Sequence, residues 1–148
     1  MELMLLTGSD QMDAELAFKD AARARWRDAL LRRLRRRPAV GRLPVYDERR
    51  LPRAAAEPWF GVREIPLTAI NATVEPNRAA QFDCAFRPAK ATRARWQRVW
   101  MAAHRGAVLP PISVIRVGDA YAVRDGHHRV SVARARGALT IDACLDAR

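Results

Sequence analysis

The sequence predicts an α+β domain with a small mixed sheet and helices, preceded by a basic N-terminal helix. Two observations favour this fold class. Short apolar segments separated by glycine and proline turns occur between residues 62 and 145, and such segments are typical of strands. Two segments with apolar residues at helical spacing, 92–105 and 130–136, interrupt them. This order indicates one ordinary α+β domain with an added arm.

A long basic helix is predicted over residues 12–37. Its apolar residues recur at roughly helical spacing and form one stripe: Leu16, Ala22, Trp26, Leu30 and Leu34. Its end carries a dense arginine cluster: Arg32, Arg33, Arg35, Arg36 and Arg37. One interpretation is an arm whose arginines contact nucleic acid or another anionic surface. The other, which we favour, is a solvated outer face with the stripe packed on the domain.

The segment 38–60 contains four prolines and shows neither helical nor strand periodicity. It is predicted to be an extended linker with one short helical turn from Glu48 to Leu51. The expected organisation is therefore a basic helical arm and Pro/Arg-rich linker over residues 1–58. The domain itself is expected over residues 59–148.

Four strands are predicted inside the domain, at residues 62–67, 111–117, 120–124 and 140–145. Gly118-Asp119 is expected to form a glycine-first hairpin turn between the second and third of them. A turn or short helix is predicted at 68–70, and residues 71–88 are expected to be irregular. In the helix at 92–105, Trp96 and Trp100 are expected in the core. Its arginines are expected to face elsewhere: Arg93, Arg95, Arg98 and Arg105.

The stretch 121–130 predicts the end of a strand, a glycine turn and the first turn of a helix. Backbone N–H groups in a helix's first turn have no partner inside the helix, so they form a seat for phosphate. We therefore expect Gly126, His127, His128 and Arg129 to form a phosphate cradle. Arg129 can fork onto a phosphate, and the alternative is a salt bridge to Asp125 or Asp142.

The catalytic candidates at this turn are His127, His128 and Asp125. The histidines could donate to phosphate, act as acid or base, or ligate a metal. We expect no metal site, because adjacent histidines seldom both ligate one ion. Asp125 is expected to cap the helix, and holding Mg²⁺ through water is the alternative. Two other acids, Glu64 and Glu75, are expected to be surface charges.

The stretch Leu109 to Leu145, "LPPISVIRVGDAYAVRDGHHRVSVARARGALTIDACL", resembles the ParB/sulfiredoxin superfamily on the side of the ParB-like N-terminal (ParB-like nuclease) domain. A weaker likeness extends upstream through "IPLTAI" at 65–70 and Arg78, so that it covers about residues 60–148. It does not reach the arm. The resemblance implies a nucleotide-binding domain, with a nucleoside triphosphate and Mg²⁺ as the expected ligand.

Members of this superfamily use the glycine turn to hold nucleotide phosphates. It reads Gly-Glu-Arg-Arg in ParB proteins, which bind CTP, and Gly-Cys-His-Arg in sulfiredoxins, which use the cysteine and ATP. A ParB-like free-serine kinase has a related turn. By position, the resemblance makes Gly126 the turn glycine and Arg129 the phosphate arginine. It also makes Arg78 an auxiliary cation.

His127 stands where sulfiredoxins have cysteine and ParB proteins have glutamate. Without that cysteine the nucleophile is absent, which argues against sulfiredoxin activity. Without the glutamate, ParB-type CTP hydrolysis does not transfer. Nucleotide hydrolysis, phosphoryl transfer and nuclease activity all stay open. The alternative function is sequence-independent nucleic-acid binding through the arginine-rich surface.

The composition shows a net charge of +11, from 27 basic and 16 acidic residues. Only Lys19 and Lys90 are lysines, so contact with polyanions and a compositional bias toward arginine are both open explanations. The two cysteines are too few for a disulfide framework. No apolar run approaches a membrane span, and the start lacks a basic leader. We therefore expect a cytoplasmic protein with no membrane partner.

Overall fold

The computed structural model describes residues 8–36, 42–52 and 61–146. Within these residues, three α-helices and five strands follow in order. They are α1 (Asp10–Leu34), β1 (Val62–Pro66), β2 (Ile70–Thr73), α2 (Arg93–His104), β3 (Ile112–Val117), β4 (Ala120–Asp125), α3 (His127–Ala135) and β5 (Thr140–Leu145). The predicted α+β class with an N-terminal helix is confirmed.

The five strands form one mixed sheet in the order β1-β5-β3-β4-β2. Strands β1 and β5 pair antiparallel, as do β3 and β4, whereas β3 pairs parallel to β5 and β2 parallel to β4. The hairpin between β3 and β4 turns at Gly118, whose φ of +61° agrees with the predicted glycine-first turn. Strand β4 therefore lies inside the sheet, and the chain passes from its end into α3.

Strand β2 was not predicted, because its residues were expected to be a turn followed by an irregular segment. Four residues with an exposed Asn71 carry little strand signal of their own. Pairing with β4 decides their conformation, since strand formation depends on cross-strand partners more than on intrinsic preference. On its other side, Thr73 donates its N–H to Pro44 O at 2.9 Å.

The segment 42–52 lies along this edge of the sheet. Tyr46 donates its N–H to Thr73 O at 2.9 Å, and Leu43 is buried in the main core. A short 3-10 turn at Glu48–Arg50 agrees with the predicted helical turn. These contacts cover the open edge of β2. The division of the chain at residue 58 stays a prediction.

The helices enclose a second core against the sheet domain. Trp96 and Trp100 of α2 are both buried, as predicted, and pack with Ala14, Phe18 and Val132. The rings of Phe18 and Trp96 meet edge to face with centroids 5.6 Å apart. Helix α1 is therefore anchored to α2 through its N-terminal half.

The predicted packing of the α1 stripe is wrong, because a different face packs on the domain and Ala22 is the stripe's one member at the second core. Ala14 and Ala17 are buried, whereas Trp26 is 65% and Leu34 71% exposed. Both faces of this helix carry apolar residues, so periodicity alone does not select between them. Alanines allow a closer approach to α2 than leucines do, and contacts outside the helix select their face. No helix in the described part of the chain is both long and apolar enough to cross a membrane.

Candidate phosphate-binding cavity

A cavity of about 360 Å³ opens where β4 ends and α3 begins. It brings together the predicted cradle and the predicted auxiliary cation: Gly126, His127, His128, Arg129 and Arg78. Asp125 and Glu75 also line it, together with two further cations, Arg95 and Arg124. The predicted residues therefore line one cavity, and their role in binding stays a prediction.

Gly126 makes the sharp passage from β4 into α3. Its φ of +103° lies in the left-handed region, which side chains rarely adopt. A Cβ at this position would lie 2.5 Å from Ile112 Cγ2, a distance that real contacts do not reach. Glycine is therefore required both for the turn and for the close approach to β3.

The first turn of α3 forms part of the cavity wall and has backbone donors without a partner inside the helix. Its first intrahelical bond runs from the N–H of Val130 to Gly126 O at 3.0 Å. The N–H groups of His127, His128 and Arg129 precede that bond and have no acceptor inside the helix. Together with the helix dipole, they form a partial positive charge that favours an anion.

Asp125 was expected to cap α3, and this prediction is wrong. Gly126 is the N-cap residue, without a side-chain capping bond. The Asp125 carboxylate instead accepts from Arg129 Nη2 at 2.8 Å, as an i, i+4 pair. The charged guanidinium lies within reach one turn later and is a stronger donor than a backbone N–H. This pairing offsets the negative charge that would otherwise oppose an anion.

The Arg129 guanidinium connects the start of α3 to the segment that precedes β3. Its Nη1 donates to Pro110 O and, at 2.8 Å, to Pro111 O, while Nη2 donates to Asp125. The salt bridge to Asp125, an alternative that the sequence left open, is thus present. Direct contact between Arg129 and a phosphate stays a prediction.

His127 is buried and belongs to a hydrogen-bond network with β2. Its Nε2 lies 2.7 Å from Thr73 Oγ1. That hydroxyl also lies 3.1 Å from Val123 O, which only accepts, and 2.9 Å from the Glu75 N–H, which only donates. All three contacts are satisfied together only if His127 carries its proton on Nε2, which leaves Nδ1 as an acceptor.

His128 is 7% exposed and lines the cavity. Its ring meets that of Phe82 edge to face, with centroids 5.1 Å apart. In the described part of the chain, its ring nitrogens have no hydrogen-bond partner. Because no protein group occupies these nitrogens, the ring is available to bond a ligand in the cavity.

Both histidines are neutral at pH 7. Burial lowers the pKa of His127 to about 4, with further contributions from Arg78 and His128. Burial also lowers the pKa of His128 to about 4, and the nearby charges of Arg95 and Arg78 add to that effect. The histidines therefore supply hydrogen-bonding groups to the cavity, and its positive charge comes from arginines.

Two of these arginines lack an acidic partner. Arg78 donates to Gln81 Oε1 at 3.0 Å, and Arg95 lies exposed on α2. Neither forms an ion pair within residues 8–36, 42–52 and 61–146. Arg124, by contrast, pairs with Glu48 and Asp146. The sequence missed Arg95, because its position off the buried stripe of α2 does not reveal that α2 lies beside α3.

The predicted nucleic-acid residues lie apart from the cavity. Arg32 pairs with Asp28 at 3.0 Å, whereas Arg33, Arg35 and Arg36 are exposed at the end of α1. Arg37 lies outside the described residues. Glu64 is exposed on β1, while Glu75 lines the cavity and is only partly exposed.

The arrangement is chemically suited to holding an anionic oxygen group. The guanidiniums of Arg78 and Arg95, the first turn of α3 and the imidazole of His128 line the same cavity. These groups can bond the oxygens of an anion. No group of three His, Cys, Asp or Glu side chains among the described residues is arranged to hold a metal ion. Asp125, one of the three catalytic candidates, is held by Arg129.

Protonation of the two histidines is expected to destabilise the fold below pH 6.5. Their unfolded pKa is near 6.5 and their folded pKa about 4, so the unfolded chain binds more protons between these values. Stability is therefore fully present above pH 6.5 and falls as the pH decreases. The slope is roughly 1.4 kcal/mol per pH unit for each histidine.

Urea unfolding from pH 7.5 to 4.5 measures this slope. The variant with His127→Gln and His128→Gln serves as control, since glutamine does not titrate. A slope that is the same in both proteins would show that other groups cause the loss.

No protein-family model matches this sequence, and no curated protein matches it. Among solved structures, sulfiredoxin from Arabidopsis thaliana is similar, with 21% sequence identity and a TM-score of 0.44. The alignment covers 60% of this chain and 86% of the sulfiredoxin chain. A likeness at this level carries no information on activity.

Proposed function

We propose that the cavity at the start of α3 binds the phosphate groups of a nucleotide, in a domain of the ParB/sulfiredoxin type. One observation carries the proposal. Arg78 and Arg95 lack an acidic partner among the described residues, and they face the same cavity as the unpaired N–H groups of α3. Cations and helix N-termini together are the usual means of holding phosphate.

The balance of charge in the cavity wall supports an anionic ligand. Arg129 is offset by Asp125, and Arg124 pairs with two carboxylates outside the cavity wall, Glu48 and Asp146. Glu75 is a single remaining acid against the two free guanidiniums of Arg78 and Arg95. The cavity wall is therefore net positive, and a bound phosphate would relieve the repulsion between these guanidiniums.

The surroundings support a nucleotide over free phosphate. A second groove adjoins the cavity and shares Arg95, Val99 and Leu109 with it. Val99, Leu109 and the neighbouring Ala102 give this groove an apolar wall. A ligand with phosphates at one end and a base at the other would occupy both spaces, and the cavity alone is within the usual size range of ligand sites.

A phosphoryl-transfer or hydrolysis reaction in this cavity would need a proton acceptor. Among the three catalytic candidates, Asp125 pairs with Arg129 and His127 with Thr73. His128 is neutral, buried and without a hydrogen-bond partner in the described residues. We therefore propose it as the first candidate for the base, a role in which a bound anionic phosphate would raise its pKa from the low value of about 4.

Calorimetric titration with ATP, CTP, GTP and inorganic phosphate, each with and without Mg²⁺, tests the proposal. We expect binding of at least one nucleotide. Replacing both free cations, in the variant Arg78→Ala and Arg95→Ala, is expected to weaken binding by about a hundredfold or more. The loss arises because two charge-assisted hydrogen bonds to phosphate disappear.

The double variant Arg33→Ala and Arg35→Ala is the matched control, since it also removes two charges, from exposed sites outside the cavity wall. Its binding should equal that of the unchanged protein. Failure of every nucleotide to bind would overturn the proposal, and so would an equal loss in the control. Circular dichroism of each variant confirms that the fold is retained.

A further inference from the structure

Helix α1 presents an apolar ridge to solvent. Trp26, Leu30 and Leu34 follow at i, i+4 and i+8, so they line one face of the helix. They are 65%, 39% and 71% exposed, and the neighbouring Leu31 is 48% exposed. Large apolar side chains scattered singly are ordinary on a protein surface, but a contiguous row of them marks a site of interaction.

Contacts between α1 and the rest of the domain keep this ridge facing the solvent. Arg87 Nη1 donates to Ala24 O at 3.1 Å, on the opposite side of the same helix. Further along, Arg32 pairs with Asp28 at 3.0 Å, and Asp28 also lies 3.5 Å from Arg87 Nη1. The helix therefore cannot rotate to bury Trp26 without breaking these contacts.

Basic side chains accompany the ridge on its outward side. Arg23, Arg27 and Arg33 are exposed, and within the described residues they form no ion pair. The whole chain carries a net charge of +11. A partner that binds this face must therefore supply both negative charge and an apolar environment for the leucines and Trp26.

We propose that the outward face of α1 binds the surface of a membrane that contains anionic phospholipids. In this position, Trp26 and the leucines enter the boundary between headgroups and acyl chains, and the helix lies in the plane of the membrane. The arginines reach the lipid phosphates through their flexible stems. An anionic bilayer surface is the occupant that satisfies both components of the face.

Two other occupants, a nucleic acid and a second copy of the chain, each satisfy only one component. A nucleic acid would neutralise the arginines and leave Leu30, Leu31 and Leu34 in water. A second copy of the chain would cover the leucines, but it would bring Arg23, Arg27 and Arg33 toward their own equivalents between two molecules of charge +11. The expectation of no membrane partner rests on the lack of a membrane-spanning run, but a helix that lies on the membrane surface needs no such run.

Vesicle flotation tests the proposal with the full chain. We expect the protein to float with vesicles of equal parts phosphatidylglycerol and phosphatidylcholine, and not with phosphatidylcholine alone. In the double variant Leu30→Ser and Leu34→Ser, vesicle affinity is expected to fall by about tenfold or more, because apolar area no longer enters the lipid. Trp26 emission should shift to the blue on anionic vesicles, and Trp26→Phe should lose that shift.

Leu139→Ser is the matched control, because Leu139 is 84% exposed and lies outside α1. It should bind vesicles like the unchanged protein. Equal flotation with both vesicle types, or full flotation of the double serine variant, would overturn the proposal. It would also be overturned by a dimer in light scattering that the serine variant abolishes, or by duplex DNA binding without any vesicle binding.

Discussion

Replacing Gly126 with alanine is expected to destabilise the fold by about 3 kcal/mol or more. Two costs combine at this position. The left-handed φ of +103° disfavours any side chain, and the new Cβ would lie 2.5 Å from Ile112 Cγ2. Ile112 is fully buried at the start of β3, so it can yield only by disturbing the core. Urea unfolding monitored by circular dichroism measures the loss.

Gly118→Ala separates the two costs. Gly118 also has a positive φ, of +61°, but nothing lies within 4 Å of its added Cβ. This variant should lose only the backbone contribution, about 1 kcal/mol. If both variants were equally stable, the contact with Ile112 would have no energetic effect. If Gly126→Ala were as stable as the parent protein, that result would contradict the close approach between β3 and the turn.

Replacing Arg134 with methionine is expected to cost about 3 kcal/mol. Its Nη2 donates to Leu67 O at 2.7 Å and Ile70 O at 2.9 Å, at the point where β2 begins. Its guanidinium also lies over the Phe86 ring, 5.6 Å from the centroid. Methionine keeps much of the apolar stem, so the main loss is that two carbonyls are left without their charged donor.

Two further variants test whether this loss depends on the guanidinium group itself. Arg134→Lys keeps the charge, but its ammonium lacks the fixed planar geometry with which Nη2 reaches both carbonyls, so its stability should lie between those of the parent and the methionine variant. Arg136→Met is the control, because Arg136 is exposed and directly follows α3, and it should cost under about 1 kcal/mol. A methionine variant at position 134 with unchanged stability would show that the carbonyls find other donors.

The predicted elements that proved correct are those whose signals are local. The hairpin at Gly118, the buried tryptophans of α2 and the last strand each depend on a turn residue or on spacing within one element. The turn at Gly126 belongs to the same group, because the glycine lies directly between a strand and a helix. Residues adjacent in sequence there are necessarily adjacent in the cavity.

The incorrect predictions concern choices between partners. Helix α1 has apolar residues on two faces, and its sequence does not show that Ala14 and Phe18 meet Trp96. Asp125 had a backbone N–H and the Arg129 guanidinium within reach, and it pairs with the guanidinium. Strand β2 exists because β4 offers it a partner across the sheet.

By itself, the sequence determined the α+β class, the order of four of the strands along the chain, and the position of the glycine turn with its histidines. These follow from short-range sterics and periodicity, which operate within a few residues. The resemblance implied Arg78 as an auxiliary cation, whereas only the tertiary structure placed Arg95, from a separate part of the chain, at the same cavity. It also lowered the pKa of His127 and His128 to about 4, because burial is a property of the packed molecule. The distances between residues that are remote in sequence depend on which surfaces pack together. Local sequence patterns do not show these distances.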